Sequence, residues 1–183
     1  MYTSAHEGYP VAPRSRRDIE AAALHARRVL GLPDGRIDIP KLLDQLTQYG
    51  IQYDVFDSHS SPLPREVEAC YCPSDQTLYI RDSVYAQMVR GGQRAIFTFG
   101  HELGHAVLAH RQGFNRQVSS VPKYCNSEWQ ANVFAAEFTM PKDQIKRYAL
   151  RTPEAIAGFF GVSLAAARVR HNEVYDGGIQ MVS

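Results

Sequence analysis

His101-Glu102-Leu103-Gly104-His105 lies in a run whose other members include Ala95, Ile96, Phe97, Phe99, Val107 and Leu108. Apolar residues at this spacing predict a helix over residues 93–110, opened by Gly91-Gly92 and closed by Gly113. Such a helix must be buried along most of its length while one face is kept for chemistry. Helical residues four apart differ by about 40° in azimuth, so His101 and His105 project together and both imidazoles can reach one tetrahedral zinc ion. Glu102 lies about 100° away on the same helix, outside the ligand set but within reach of a water that the metal acidifies. A carboxylate in that place takes the water's proton and hands it to a leaving amine. The reaction class this assembles is metal-assisted peptide hydrolysis.

A third ligand has to come from elsewhere. On a continuous helix His110 falls on the side opposite His101 and cannot share the ion. An extended pattern with a third histidine on the same segment also fails, since Leu108 stands where it needs glycine and Arg111 where it needs histidine. The second helix expected to contribute spans residues 127–138 and carries Glu128 and Glu137 on opposite sides. Ala131 and Ala135 flank Glu128 and permit close helix approach, so Glu128 is the expected ligand and Glu137 the solvated or salt-bridged alternative.

Around this pair of helices the chain reads as α+β. Helices are expected over residues 18–32 and after Pro40, and strands over 51–56, 67–72 and 77–81. Pro73-Ser74-Asp75-Gln76 makes a hairpin turn and residues 58–64 a Ser/Pro-rich loop, giving a small meander. Residues 1–15 lack periodicity and read as a flexible tail, residues 16–150 as the main domain, and residues 151–183 as a helical region with a frayed end. In that last region two short helices joined by Gly161-Val162-Ser163 have the outline of a helix-turn-helix.

His101 to His105, then Glu128-x-x-Ala131-Asn132-x-Phe134-Ala135-Ala136, then Met140-Pro141, resembles the ImmA/IrrE family of zinc metallopeptidases. The resemblance extends over most of the chain and implies a small zincin-like domain with a C-terminal helix-turn-helix-like appendage. It implies Zn²⁺ held by His101, His105 and Glu128, with Glu102 as the general base. It also implies a substrate class, helix-turn-helix repressors, whose cleavage releases stress-response or mobile-element genes.

Peptide hydrolysis further needs a strand beside the metal and a group to stabilise the oxyanion. Residues 67–72 are the candidate edge strand; Tyr71, Tyr124 and His171 are the chemically able stabilisers, with no choice among them. Residues 67–72 read equally well as an ordinary hairpin strand with small buried thiols; a separate, disfavoured reading has Cys70 or Cys125 close the metal's open position and silence the site.

With 183 residues, 44% of them apolar, the chain can bury a core, and 20 basic against 19 acidic side chains leave +1, too little to draw it to nucleic acid as a whole. Arg151, Arg168, Arg170 and His171 form a modest basic patch on the expected recognition helix; DNA binding through it is not favoured, because Ala165, Ala166 and Ala167 offer little to read bases with. Three cysteines, no apolar stretch of membrane-spanning length and no secretory h-region lead to an expectation of the cytoplasm. The competing expectation is a non-catalytic regulatory module that holds a repressor, a toxin partner or DNA around a structural or latent metal. An intact Glu102 argues against it, since a purely structural zinc has no use for a base.

Overall fold

Among the described residues, five helices begin at a short polar side chain that accepts from the backbone N–H three residues on. Ser15, Asp38, Asn126, Thr152 and Ser163 cap the N–H groups of Asp18, Lys41, Trp129, Ala155 and Ala166, each contributing about 1 kcal/mol. The computed structural model of the chain describes residues 8–57, 67–110 and 121–176. The loop expected over residues 58–64, the stop at Gly113 and the frayed end beyond residue 176 lie outside the described residues.

The elements in chain order are α1 (Arg16–Val29), α2 (Ile39–Thr47), β1 (Gln52–Phe56), β2 (Ala69–Cys72), β3 (Thr77–Arg81), α3 (Asp82–Val89), α4 (Gln93–Val107), α5 (Ser127–Thr139), α6 (Lys142–Arg147), α7 (Pro153–Phe160) and α8 (Leu164–Tyr175). A short 3-10 turn, Lys123–Cys125, precedes α5. The fold is α+β, as expected, with α3 and α6 as additions that the sequence pattern did not announce.

The strands do not form a meander. Their order is β1-β3-β2, with β2 antiparallel and β1 parallel to β3. Only β2 and β3 are joined by a hairpin turn; the path from β1 to β3 is long enough for the crossover that parallel strands require. β3 takes the middle, and its Leu78 and Ile80 are buried, each 1% exposed. β2 is left at an edge of the sheet, as the edge-strand expectation had it.

α4 lies between β2 and α5, and its approach to α5 is set by glycine. A Cβ at Gly104 would lie 3.1 Å from Phe134 Cδ1 and 3.2 Å from the Ala131 carbonyl oxygen, and one at Gly100 would lie 3.0 Å from Thr139 Cγ2. α1 covers the other side of α5, and Phe134 and Phe138 stack inside this layer with centroids 5.6 Å apart.

Two further expectations are corrected. Residues 8–15 are not loose: Val11 and Arg14 donate to the Cys125 and Tyr124 carbonyls, Ser127 N–H donates to Tyr9 O, and Pro10 bridges to Asn126. Arg170 is not part of a surface basic patch, since it is 1% exposed. Its guanidinium pairs with the buried Glu137 carboxylate, donates to the Met140 carbonyl at 2.9 Å and reaches Glu173 at 3.0 Å. A guanidinium can be buried only with such partners, and Glu137, one of the two carboxylates weighed as a ligand, is the partner. α7 and α8 turn at Gly161, whose φ of 68° is left-handed.

Candidate metal centre

α4 and α5 bring three donor groups to one point. His101 Nε2 lies 3.1 Å from His105 Nε2 and 3.1 Å from Glu128 Oε2, and His105 Nε2 lies 3.4 Å from Glu128 Oε1. Zinc–ligand bonds of about 2.0–2.1 Å at tetrahedral angles set donor atoms about 3.3 Å apart. The three side chains therefore have the spacing of ligands to one ion and could hold a metal. Glu137 is not among them.

The outer nitrogens of both imidazoles are also engaged. His101 Nδ1 lies 3.1 Å from Asn132 Oδ1, one helical turn after Glu128 on α5. His105 Nδ1 lies 3.0 Å from His110 Nδ1, and His110 Nε2 lies 3.0 Å from Gln130 Oε1. The placement of His110 corrects the continuous-helix expectation. α4 ends at Val107; Ala109 adopts a left-handed φ of 53°, its N–H donates to Ala106 O, and His110 N–H returns to His105 O. This Schellman turn folds the chain back, so His110 stacks edge-on against His105 with centroids 5.0 Å apart.

Glu102 stands beside the triangle. Its Oε2 accepts a 2.9 Å hydrogen bond from the Tyr71 backbone N–H on β2. Burial pushes its carboxyl up to about 7, against the pull of His101 and the Tyr71 hydrogen bond and with a smaller push from Glu128. Burial would lower the His101 imidazole, but its hydrogen bond to Glu128 and the charges of Glu102 and Glu128 outweigh that and raise it. Burial, then Glu102, lifts the Cys70 thiol to about 11.

Of the three oxyanion candidates, Tyr71 contacts the site through its backbone. Tyr124 is 48% exposed on the 3-10 turn, and His171 Nε2 lies 2.9 Å from the Arg151 carbonyl oxygen. Tyr9 was missed. Burial raises its phenol to about 12, with Glu128, Cys70 and Glu102 adding to the shift, and its ring meets His110 edge-on at 6.5 Å. It belongs to a segment without periodicity, and no motif marks it.

No helix among the described residues is long and apolar enough to cross a membrane. No curated protein matches the chain. Among solved structures, a Mycobacterium tuberculosis transcriptional regulator matches with a TM-score of 0.55 at 18% identity, over 85% of this chain and 47% of that one. This chain thus spans about half the length of that protein, and at such identity the likeness is one of fold. The sequence model that matches residues 92–172 is Peptidase_M78, described as the IrrE N-terminal-like domain. That family is of the zinc metallopeptidase kind, and the matched segment contains α4, α5 and all three donor residues. Residues 92–172 of the chain are thus similar to the IrrE N-terminal-like domain of that peptidase family.

Proposed function

We propose that the chain is a zinc-dependent endopeptidase that makes a site-specific cut in a helix-turn-helix transcriptional repressor and so switches on stress-response or mobile-element genes. The observation that carries the peptidase reading is the spacing of His101, His105 and Glu128, with the Glu102 carboxylate held beside them. The first three would hold the ion, the histidines through Nε2. Zinc, when bound, supplies the Lewis acidity that polarises a peptide carbonyl and acidifies water.

The chain's own residues supply the rest. Glu102 accepts a proton from the attacking water and returns it to the leaving amine. The Tyr71 N–H keeps one carboxylate oxygen fixed, so the other is the one that moves the proton. β2, at the sheet edge, offers main-chain groups against which an extended segment can align. The substrate class rests on the resemblance of the two helix motifs to peptidases that act on such repressors.

The test is co-expression with a helix-turn-helix regulator encoded beside this chain, using wild type and Glu102→Gln. A specific fragment formed by wild type alone supports the proposal. A regulator bound equally by both and cut by neither selects the non-catalytic regulatory module instead.

A further inference from the structure

Gln130 is fully buried near the start of α5, and two carbonyl oxygens fix its amide. Nε2 donates to Ala12 O at 2.9 Å and to Tyr124 O at 2.8 Å. An amide nitrogen has two hydrogens, so both are used, and the reversed amide would set its oxygen against two carbonyl oxygens. Oε1 is thereby committed to face His110 Nε2 at 3.0 Å. A carbonyl oxygen only accepts, which places a proton on that nitrogen.

The consequence passes from ring to ring. A second proton on His110, which is 2% exposed, would bury a charge whose hydrogen-bond partners are an amide oxygen and an imidazole. A neutral imidazole with its proton on Nε2 presents a lone pair at Nδ1. That lone pair lies 3.0 Å from His105 Nδ1, a contact satisfied only when His105 carries its own proton there. The His105 lone pair then falls on Nε2, the nitrogen 3.1 Å from His101 Nε2 and 3.4 Å from Glu128 Oε1.

We infer that His110 and Gln130 are positioning residues that set the tautomer of His105, so that its Nε2 meets the metal as a donor. The order of donors and acceptors is dictated from the far end, by the backbone carbonyls of Ala12 and Tyr124. The segment around Tyr9 to Arg14 thus reaches the metal centre through Gln130. The inference rests on the metal reading proposed above and concerns how one ligand is prepared, not which reaction follows.

The test reads protons and metal affinity rather than turnover. Long-range ¹H–¹⁵N correlation on zinc-loaded protein with ¹⁵N-labelled histidine is expected to show His105 protonated at Nδ1 and His110 protonated at Nε2. His110→Phe keeps a ring but removes the acceptor, and should weaken zinc binding about 10–100-fold in chelator competition. His110→Gln can accept from His105 and donate to Gln130, and should recover most of that loss. A His110 protonated at Nδ1, a His105 bound through Nδ1, or wild-type affinity in His110→Phe would overturn the inference while leaving the peptidase reading intact. The tautomer measurement uses the unaltered chain and stands even if the phenylalanine variant does not fold. Wild-type protein that binds no zinc would overturn both readings.

Discussion

The Tyr71 backbone N–H donates to Glu102 Oε2 at 2.9 Å, which ties the carboxylate to the edge strand rather than to its own helix. A glutamine at position 102 can accept the same hydrogen bond but cannot take a proton from water. Glu102→Gln is therefore expected to bind zinc as wild type does and to lose about 10²–10⁴-fold in cleavage rate. Metal content and fragment yield, measured on one preparation, check both halves.

Arg170 and Glu137 form a buried ion pair between α8 and α5. Arg170→Met leaves the Glu137 carboxylate buried without its main partner and should cost about 3–5 kcal/mol in urea unfolding. Adding Glu137→Gln removes the stranded charge and should return much of it. A loss below about 1 kcal/mol in the single variant would mean that the pair behaves as a solvated one.

Gly104→Ala sets two effects against each other. Helix propensity favours alanine by about 1 kcal/mol. The new methyl, however, would sit 3.2 Å from the Ala131 carbonyl oxygen and from Phe134 Cβ, backbone and near-backbone atoms with little room to retreat. Overpacking should win, with a net loss of about 1–3 kcal/mol. Because the helices forced apart are those that carry His105 and Glu128, zinc affinity should fall with stability; a stabilised variant with unchanged affinity would refute the close fit.

Glu173 supplies a pH dependence. Burial pushes its carboxyl upward, but ion pairs with Arg16 at 3.1 Å and Arg170 at 3.0 Å prevail and hold it below the usual carboxylate value. A carboxylate depressed by folding stabilises above its unfolded value, about 4.3, and that contribution is lost as pH falls through the lower folded value. Wild type should exceed Glu173→Gln by no more than about 1 kcal/mol at neutral pH. Urea titrations at descending pH should show the two converging below about pH 4.

The two motif helices were readable because several turns of apolar periodicity surround residues of recognisable chemistry. The small side chains Ala131 and Ala135 also pointed to Glu128 as the carboxylate facing α4. His110 was misplaced because the turn that ends α4 puts Ala109 in the left-handed position, where glycine would have signalled a stop. Arg170 reads as a surface residue until Glu137, 33 positions away, is seen to receive it. α3 is as long as α7, which the sequence does announce, but it lacks the capping side chain and first-turn proline that mark α7, and α6 is uncapped and only 6 residues long. Alternation marked β1 as a strand, but nothing local in it names β3 as its neighbour or sets the two parallel. The hydrogen bonds that hold Tyr9 are made with groups on Ser127, a relation that no sequence window contains.

That last relation has a consequence in time. Tyr9 N–H donates to Ser127 Oγ across 118 positions of chain, and Gln130 meets Ala12 across a similar span. At a synthesis rate of about 5–20 residues per second, the earlier partner waits on the order of ten seconds for the later one to exist. Local helices need far less than that, so they can form while this contact still lacks its other half. The stretch from Tyr9 to Arg14 is made well before α4 and α5 and is fixed only after α5 has emerged, so that an early-made part of the chain completes the surroundings of the candidate metal centre.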